Sequence, residues 1–242
     1  MIAGRKQLYE RRFNVGGAEE ERVRACLQLF RVLRGHRFLD IGCGDGAITV
    51  RLAEAAGATE AFGVDIAPDA VAAATDKGVK ASSIDLDSQD LPFDDCQFDV
   101  VYCGEMIEHV YDPGHLLSEV NRVLKLGGHC VLTTPNLAGW PNRFALLLGF
   151  QPYPTAVSPN HEGIGKLLVR GEEGQWGHIR VFTLTALKEL VRLHGFGILA
   201  VRGCAITLKS THKLAALVRL MDRFFARFPG LANRVILVLR KL

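Results

Sequence analysis

Short apolar runs and amphipathic stretches alternate along this chain, and few architectures accept that order. The runs RFLDIG, EAFGVDI, KASSIDL, FDVVYCG, HCVLTTP, FGILAVR and RVILVLR read as strands. Between them lie AITVRLAEAAG, APDAVAAATDKG, PGHLLSEVNRVLK and TLTALKELVRLHG, each closing near a glycine as a helix C-cap does. Upstream, Val23, Cys26, Leu27, Phe30 and Leu33 recur at helical spacing behind an acidic AEEE start, which predicts a helix over Ala18 to Arg34. Strand and helix alternate five times, and strands apolar throughout belong in a parallel sheet covered on both faces. The expected fold is a doubly wound α/β sheet. With 242 residues and 48% apolar content the chain can bury the core of one such domain, so 1–242 is read as a single domain.

Charge and cysteine usage exclude several classes. A formal charge of +3 and a pI near 8.6 fall short of the field of a dedicated nucleic-acid binder, so no nucleic-acid partner is expected. The six cysteines, Cys26, Cys43, Cys96, Cys103, Cys130 and Cys204, form no C-x-x-C pair and show no zinc-ligand spacing. They read as core hydrophobes in a reducing compartment. Charges interrupt MIAGRKQLYERRFN where a signal peptide needs an apolar stretch, and no run approaches the ~18 apolar residues of a membrane span. A cytoplasmic protein is expected.

Two segments break the alternation. The insertion 136–180 carries Trp140, Phe144, Phe150, Tyr153 and Trp176, and a long loop after a strand end suits a lid or substrate wall. With Tyr9 of the N-terminal arm, 1–34, it is the candidate for closing the site. The segment 205–230 contains a helix, His212 to Phe228, with Arg219, Arg223 and Arg227 at i, i+4 and i+8 and apolar side chains over the rest. Such a helix packs on the sheet or lies on an acidic membrane surface, so peripheral membrane contact through 212–228 is an alternative to packing.

The first strand-to-helix turn, FLDIGCGDG, is where open α/β sheets bind their ligands. Gly42, Gly44 and Gly46 lay the backbone bare, but the spacing is G-x-G-x-G, with Asp40 before the turn and Asp45 inside it. Pyrophosphate beside two carboxylates is electrostatically poor, whereas an ammonium or sulfonium group gains from them. Asp65, nineteen positions past Gly46, ends the second strand and can accept both hydroxyls of a ribose. Ile66 can pack on the base, and Asp85 or Asp87 can accept from an adenine amine.

At these residues the chain resembles the class I S-adenosylmethionine-dependent methyltransferases. FLDIGCGDG resembles their first motif and GVDIA their acidic second-strand motif. DLDSQDLPFDDCQFDVVYCGEMIEHV is similar to their third-strand loop and fourth strand, and EVNRVLKLGGHCVLTTPN leads through the fifth. The resemblance implies a mostly parallel, Rossmann-like seven-stranded sheet with helices on both faces and the last strand antiparallel. It also implies S-adenosylmethionine as methyl donor and S-adenosylhomocysteine as product. The implied cofactor residues are Asp40, Gly42, Cys43, Gly44 and Gly46 about the methionine part, Asp65 and Ile66 at the ribose and base, and Asp85, Leu86 or Asp87 near the adenine. Cys103 to Glu105 would face the sulfonium and the incoming substrate. One departure is KLGG, Lys125 to Gly128, where the family usually has proline before the glycines; a less rigid turn is expected there.

GEMIEHVYDPGH supplies the candidate chemistry. If Glu105 begins a helix, Glu108 and His109 share its face at i+3 and i+4. His109 and His178 are the candidate catalytic residues, as bases near neutrality; His178 has the alternative role of pinning the insertion through a backbone hydrogen bond. No metal is assigned. A divalent ion on Glu105, Glu108 and His109, with His161 or His178 as a further ligand, is the alternative, since the motif is similar to that of quinone-precursor and small-RNA-end methyltransferases that use such a site. The expected activity is methyl transfer to a small-molecule acceptor, with a hydroxyl oxygen of a sugar, lipid-linked or aromatic metabolite preferred. Nitrogen or carbon transfer, a non-catalytic cofactor-binding protein and an NAD-linked reductase are the competing readings.

Overall fold

The computed structural model describes residues 19–158, 161, 163–167, 177–205 and 213–242. All seven anticipated strands form: β1 Arg37–Ile41, β2 Glu60–Asp65, β3 Lys80–Ser83, β4 Phe98–Gly104, β5 Leu124–Pro135, β6 Phe196–Cys204 and β7 Arg234–Lys241. They make one sheet in the order β3-β2-β1-β4-β5-β7-β6. β7 runs antiparallel to both neighbours, β5 and β6, and the other pairings are parallel. The chain leaves β1 toward one edge and returns at β4 toward the other. That reversal opens a crevice beyond the carboxyl ends of β1 and β4, where doubly wound sheets bind ligands.

The helices are α1 Glu19–Phe30, α2 Ala47–Ala56, α3 Pro68–Asp76, α4 Pro113–Val123, α5 Trp140–Leu147, α6 Leu184–Leu193 and α7 Lys213–Phe225. Period-two alternation divides the sheet's side chains between two layers. Phe38, Val100, Tyr102, Val131, Ile236 and Val238 pack with Cys26 and Phe30 of α1 and Leu52 and Ala56 of α2. Leu39, Ile41, Val101, Leu132 and Leu237 pack with Leu116, Leu117 and Val120 of α4 and Leu187 and Val191 of α6. Asp112 caps α4 by accepting from the amides of Gly114 and His115, with Pro113 opening the helix.

Among the boundaries that differ from expectation, α7 ends at Phe225, short of Phe228. α1 ends at Phe30, short of Arg34, where the Val32 amide donates to the Leu29 carbonyl in a tighter turn. The stretch KLGG lies inside β5, which begins at Leu124, so the expected turn is a bulged strand: Gly127 has φ +75° and the register with β4 shifts between Phe98 and Val100. The insertion 136–180 contains a helix, α5, seated through buried Trp140, Asn142 and Ala145. Tyr9, Trp176 and His212 lie outside the described residues. All six cysteines are free, five of them buried and Cys96 exposed.

Candidate active site

The turn between β1 and α2 places Gly42, Gly44 and Gly46 at φ +82°, +52° and +77°. An L side chain pays roughly 1–2 kcal/mol there. A Cβ on Gly46 would lie 2.9 Å from the Ala74 Cα of α3, so glycine is also what lets α3 pack this close. The Gly44 amide donates to Asp65 Oδ2 at 2.9 Å and the Ala67 amide to Oδ1 at 3.0 Å, tying the end of β2 to the turn.

Beside this turn lies a cleft of about 480 Å³, including its open mouth. Gly42, Asp65, Ile66, Ile84, Asp85, Leu86 and Asp87 line it from the turn and the ends of β2 and β3; Met106, His109 and Val110 line it from beyond β4. Asp85 Oδ1 accepts from the Asp87 amide, and Asp87 Oδ1 from the Tyr111 amide at 2.7 Å, so the two strand-end loops are joined across the cleft. Asp40, Cys43 and Cys103 lie behind the lining. Asp40 is buried and accepts from Thr49 Oγ1 at 2.6 Å. Burial pushes its carboxyl up to about 7, against the Thr49 hydrogen bond and the Arg22 charge. Cys43 packs with Ala74 and Val79, and Cys103 belongs to the α4/α6 layer. Burial raises both thiols.

Beyond β4 the helix that would align Glu105, Glu108 and His109 does not form. Glu105 sits at φ +55°, and only one 3-10 turn, Ile107–His109, follows. The Glu105 amide is held by the Thr133 carbonyl at 2.9 Å, and at φ +55° Glu105 itself lies outside helical geometry. The two glutamates therefore part. Thr133 Oγ1 donates to Glu105 and Thr134 Oγ1 to Glu108, each at 2.9 Å. Adjacent strand residues face opposite sides of a sheet, which puts Glu105 on the α1/α2 side and Glu108 on the α4/α6 side. Glu105 is ion-paired with Arg234 of β7 at 2.7 Å. Burial alone would raise its carboxyl, but Arg234 and then Arg22 hold it below the usual carboxylate range. Arg22 itself donates to the Tyr102 hydroxyl.

Glu108 is fully buried, and its Oε1 has no hydrogen-bond partner among the described residues. Burial first, and the Glu105 charge second, push its carboxyl up to about 8. Its carbonyl accepts from the amides of Ile179 and Arg180 at 2.8 and 3.1 Å, which brings the end of the insertion back onto the site. There His178 meets His109 with ring centroids 4.9 Å apart. His109 Nδ1 lies 3.1 Å from the Gly177 carbonyl and His178 Nδ1 2.8 Å from the Pro154 carbonyl. A carbonyl only accepts, so Nδ1 carries the proton in both rings and the lone pair of the neutral imidazole lies on Nε2.

Glu108, His109 and His178 each offer a ligand atom within 4.8 Å of the others. Two imidazoles and a carboxylate suit a divalent transition ion, and the Nδ1-to-carbonyl bonds are the outer support such ligands use. Glu105, bound to Arg234, lies outside this group, and the exposed His161 is not part of it. The alternative trio Glu105, Glu108 and His109 is thus not brought together; of the further ligands considered with it, His178 joins Glu108 and His109. The sequence pointed to neither Arg234 nor the role of the two threonines. The adjacent pair in LTTP carried a signal, since neighbours on a strand serve opposite faces.

A doubly wound sheet with an acidic cleft at its switch point is the architecture of a Rossmann-like enzyme that takes a nucleoside cofactor. Residues 39–132 match the family model described as "Methyltransferase domain". The chain is 31% identical over 198 residues to a demethylmenaquinone methyltransferase of Staphylococcus carnosus, spanning 78% of this chain and 80% of that one. A Staphylococcus aureus protein of the same name is 31% identical over 195 residues, with 76% and 77% covered. Among solved structures, an S-adenosylmethionine-dependent methyltransferase of Mesorhizobium loti superposes with a TM-score of 0.61 at 22% identity, covering 93% and 99% of the two chains. One from Archaeoglobus fulgidus gives 0.60 at 18%, covering 99% of each. The chain belongs to the class I S-adenosylmethionine-dependent methyltransferases.

Proposed function

We propose that this methyltransferase acts on a hydroxyl oxygen of a small aromatic or lipid-linked metabolite, and that 1–242 works as one catalytic domain. The observation that carries the reading is the His109–His178 pair over buried Glu108, with His109 on the wall of the cleft. S-adenosylmethionine supplies an activated methyl group, displaced in line from a sulfonium.

The cleft's chemistry fits that donor. Carboxylates at Asp65, Asp85 and Asp87 only accept hydrogen bonds when ionised, and the donor's ribose hydroxyls and adenine amine donate. In this reading Asp65 holds the ribose, Ile66 and Leu86 cover the base, Asp85 or Asp87 takes the amine, and Gly42 to Gly46 accommodate the methionine end. Asp40, Cys43 and Cys103 act from behind by fixing the turn and the end of β4. Glu105 positions the segment that carries Met106 and His109. His109 or His178 accepts the hydroxyl proton, and a divalent ion on Glu108, His109 and His178 would lower that hydroxyl's pKa.

The name of the staphylococcal relatives favours a second reading, an acceptor of quinol type. A deprotonated phenol shares its charge with ring carbons, so the same base could serve carbon transfer. Incubation of methyl-labelled donor with hydroxylated aromatic acceptors, followed by NMR of the product, separates the two. A methyl ether supports oxygen transfer; a ring methyl or an N-methyl product overturns it. His178→Ala should lower kcat/KM about 100-fold, as expected for loss of a general base, with cofactor Kd unchanged. Cofactor binding without turnover of any acceptor fraction would mark a non-catalytic protein.

A further inference from the structure

α5 and α7 together present an apolar surface that the fold leaves in solvent. They are locked to each other at their inner sides. Trp140 Nε1 donates to Asp222 Oδ1 at 2.9 Å, the Asn233 side-chain Nδ2 also donates to that carboxylate, and the Trp140 and Phe225 rings stack at 5.4 Å. α7 buries Asp222 and half-buries Val218, Met221 and Phe225. At helical spacing, Leu217, Leu220 and Phe224 then fall on a neighbouring stripe, and they are exposed. Phe228 continues this stripe, its ring 5.7 Å from that of Phe224. From α5, Phe144 touches Trp140 at 6.1 Å, so aromatic rings run from one helix to the other. Phe144, Leu147, Leu220, Phe224 and Phe228 keep 50–80% of their surface in solvent. A soluble protein rarely displays so many large apolar side chains together without a use.

The charges around this surface select its partner. Arg219 and Arg223 flank the exposed stripe on the side away from the buried one, with Arg227 just past the helix, and Arg143 projects from α5. The one carboxylate of the segment, Asp222, is buried against Trp140 and Asn233. From another element, Glu21 of α1 faces Arg223 at 3.4 Å. From Arg202 onward the sequence has nine basic residues against that single aspartate. An apolar stripe bordered by arginines matches the boundary between acyl chains and anionic headgroups, where arginine stems lie along the apolar layer and their heads reach the phosphates. No helix among the described residues is long and apolar enough to cross a membrane, so the contact would be peripheral.

We infer that the α5–α7 face docks on the surface of an anionic lipid bilayer. The same segment reaches the active site: the Tyr153 amide donates to Asn142 Oδ1 of α5, and the next residue's carbonyl holds His178. A docked surface would therefore lie beside the insertion that carries His178. The inference does not rest on the choice of acceptor.

The test is co-sedimentation of the purified full-length chain with vesicles of phosphatidylglycerol and phosphatidylcholine, against vesicles of phosphatidylcholine alone. Wild-type protein should partition at least about tenfold more strongly to the anionic vesicles, and this preference should fall with salt. L220S/F224S should cut binding about tenfold or more, and R219Q/R223Q/R227Q should erase the anionic preference. Both variants should keep the wild-type cofactor affinity in calorimetry. Absence of wild-type binding to anionic vesicles overturns the proposal, and that comparison needs no variant. Unchanged binding by both variants also overturns it. So does a dimer in analytical ultracentrifugation that L220S/F224S dissociates while vesicle binding is absent, because the face then meets a second copy.

Discussion

In the proposed reading the glycine-turn side of the cleft takes the cofactor and the His109–His178 side the acceptor, and the two are built from different materials. The cofactor side is largely backbone: a turn of three left-handed glycines and strand-end carboxylates, with Asp65 reaching 21 positions back to Gly44. The acceptor side is assembled by side chains distant in sequence, such as Glu105 on Arg234, His109 on Gly177 and Trp140 on Asp222. A site made of backbone is set once strand and helix pack. One made of long-range side-chain bonds can be respecified by changing single residues, which suits the part of a methyltransferase that chooses its substrate.

The hardest test of this contrast is Arg234→Gln. It leaves Glu105 charged and mostly buried with Arg22 but without its ion-pair partner, and breaking such a pair costs about 3–5 kcal/mol. Denaturant unfolding should show that loss, and E105Q/R234Q should recover most of it. If cofactor affinity in the folded single variant collapses as well, the two sides are not separable.

Asp40 probes the cofactor side through pH. Its folded carboxyl lies near 7 against 3.8 for an ordinary one, so the fold favours the protonated form. Stability is then fully present below about 4 and is lost as pH rises toward 7, by up to about 4 kcal/mol at 1.36 kcal/mol per unit. D40N should be more stable than wild type at pH 8 without cofactor, and the gap should close at pH 4. A gap that does not change with pH would show that Asp40 is ionised in the fold.

Asp65→Ala should weaken cofactor binding about 100-fold in calorimetry, as two hydrogen bonds to a charged acceptor are lost, while the acceptor-side ion pairs persist. The smallest effect is expected on the acceptor side. Trp140→Phe removes the indole donor to buried Asp222 and should cost about 1–3 kcal/mol in thermal unfolding, with cofactor Kd unchanged. A changed Kd would mean that α5 reaches the cofactor.

The sequence by itself determined the strand and helix order, the glycine turn and the acidic residue ending the second strand. These are local: periodicity, glycine's access to left-handed φ and the position of a carboxylate at a strand end are properties of short stretches. It left GEMIEHV conditional, since Glu105, Glu108 and His109 share a face only if Glu105 begins a helix. Tertiary bonds from Thr133 decided otherwise by fixing Glu105 in a left-handed conformation, and strand alternation sent the two glutamates to opposite sides of the sheet. The pairing of His109 with His178, 69 positions apart, and of Glu105 with Arg234, 129 apart, follows only from how the insertion and β7 return to β4 and β5. Periodicity within a segment carries no information about which distant segment comes back to meet it.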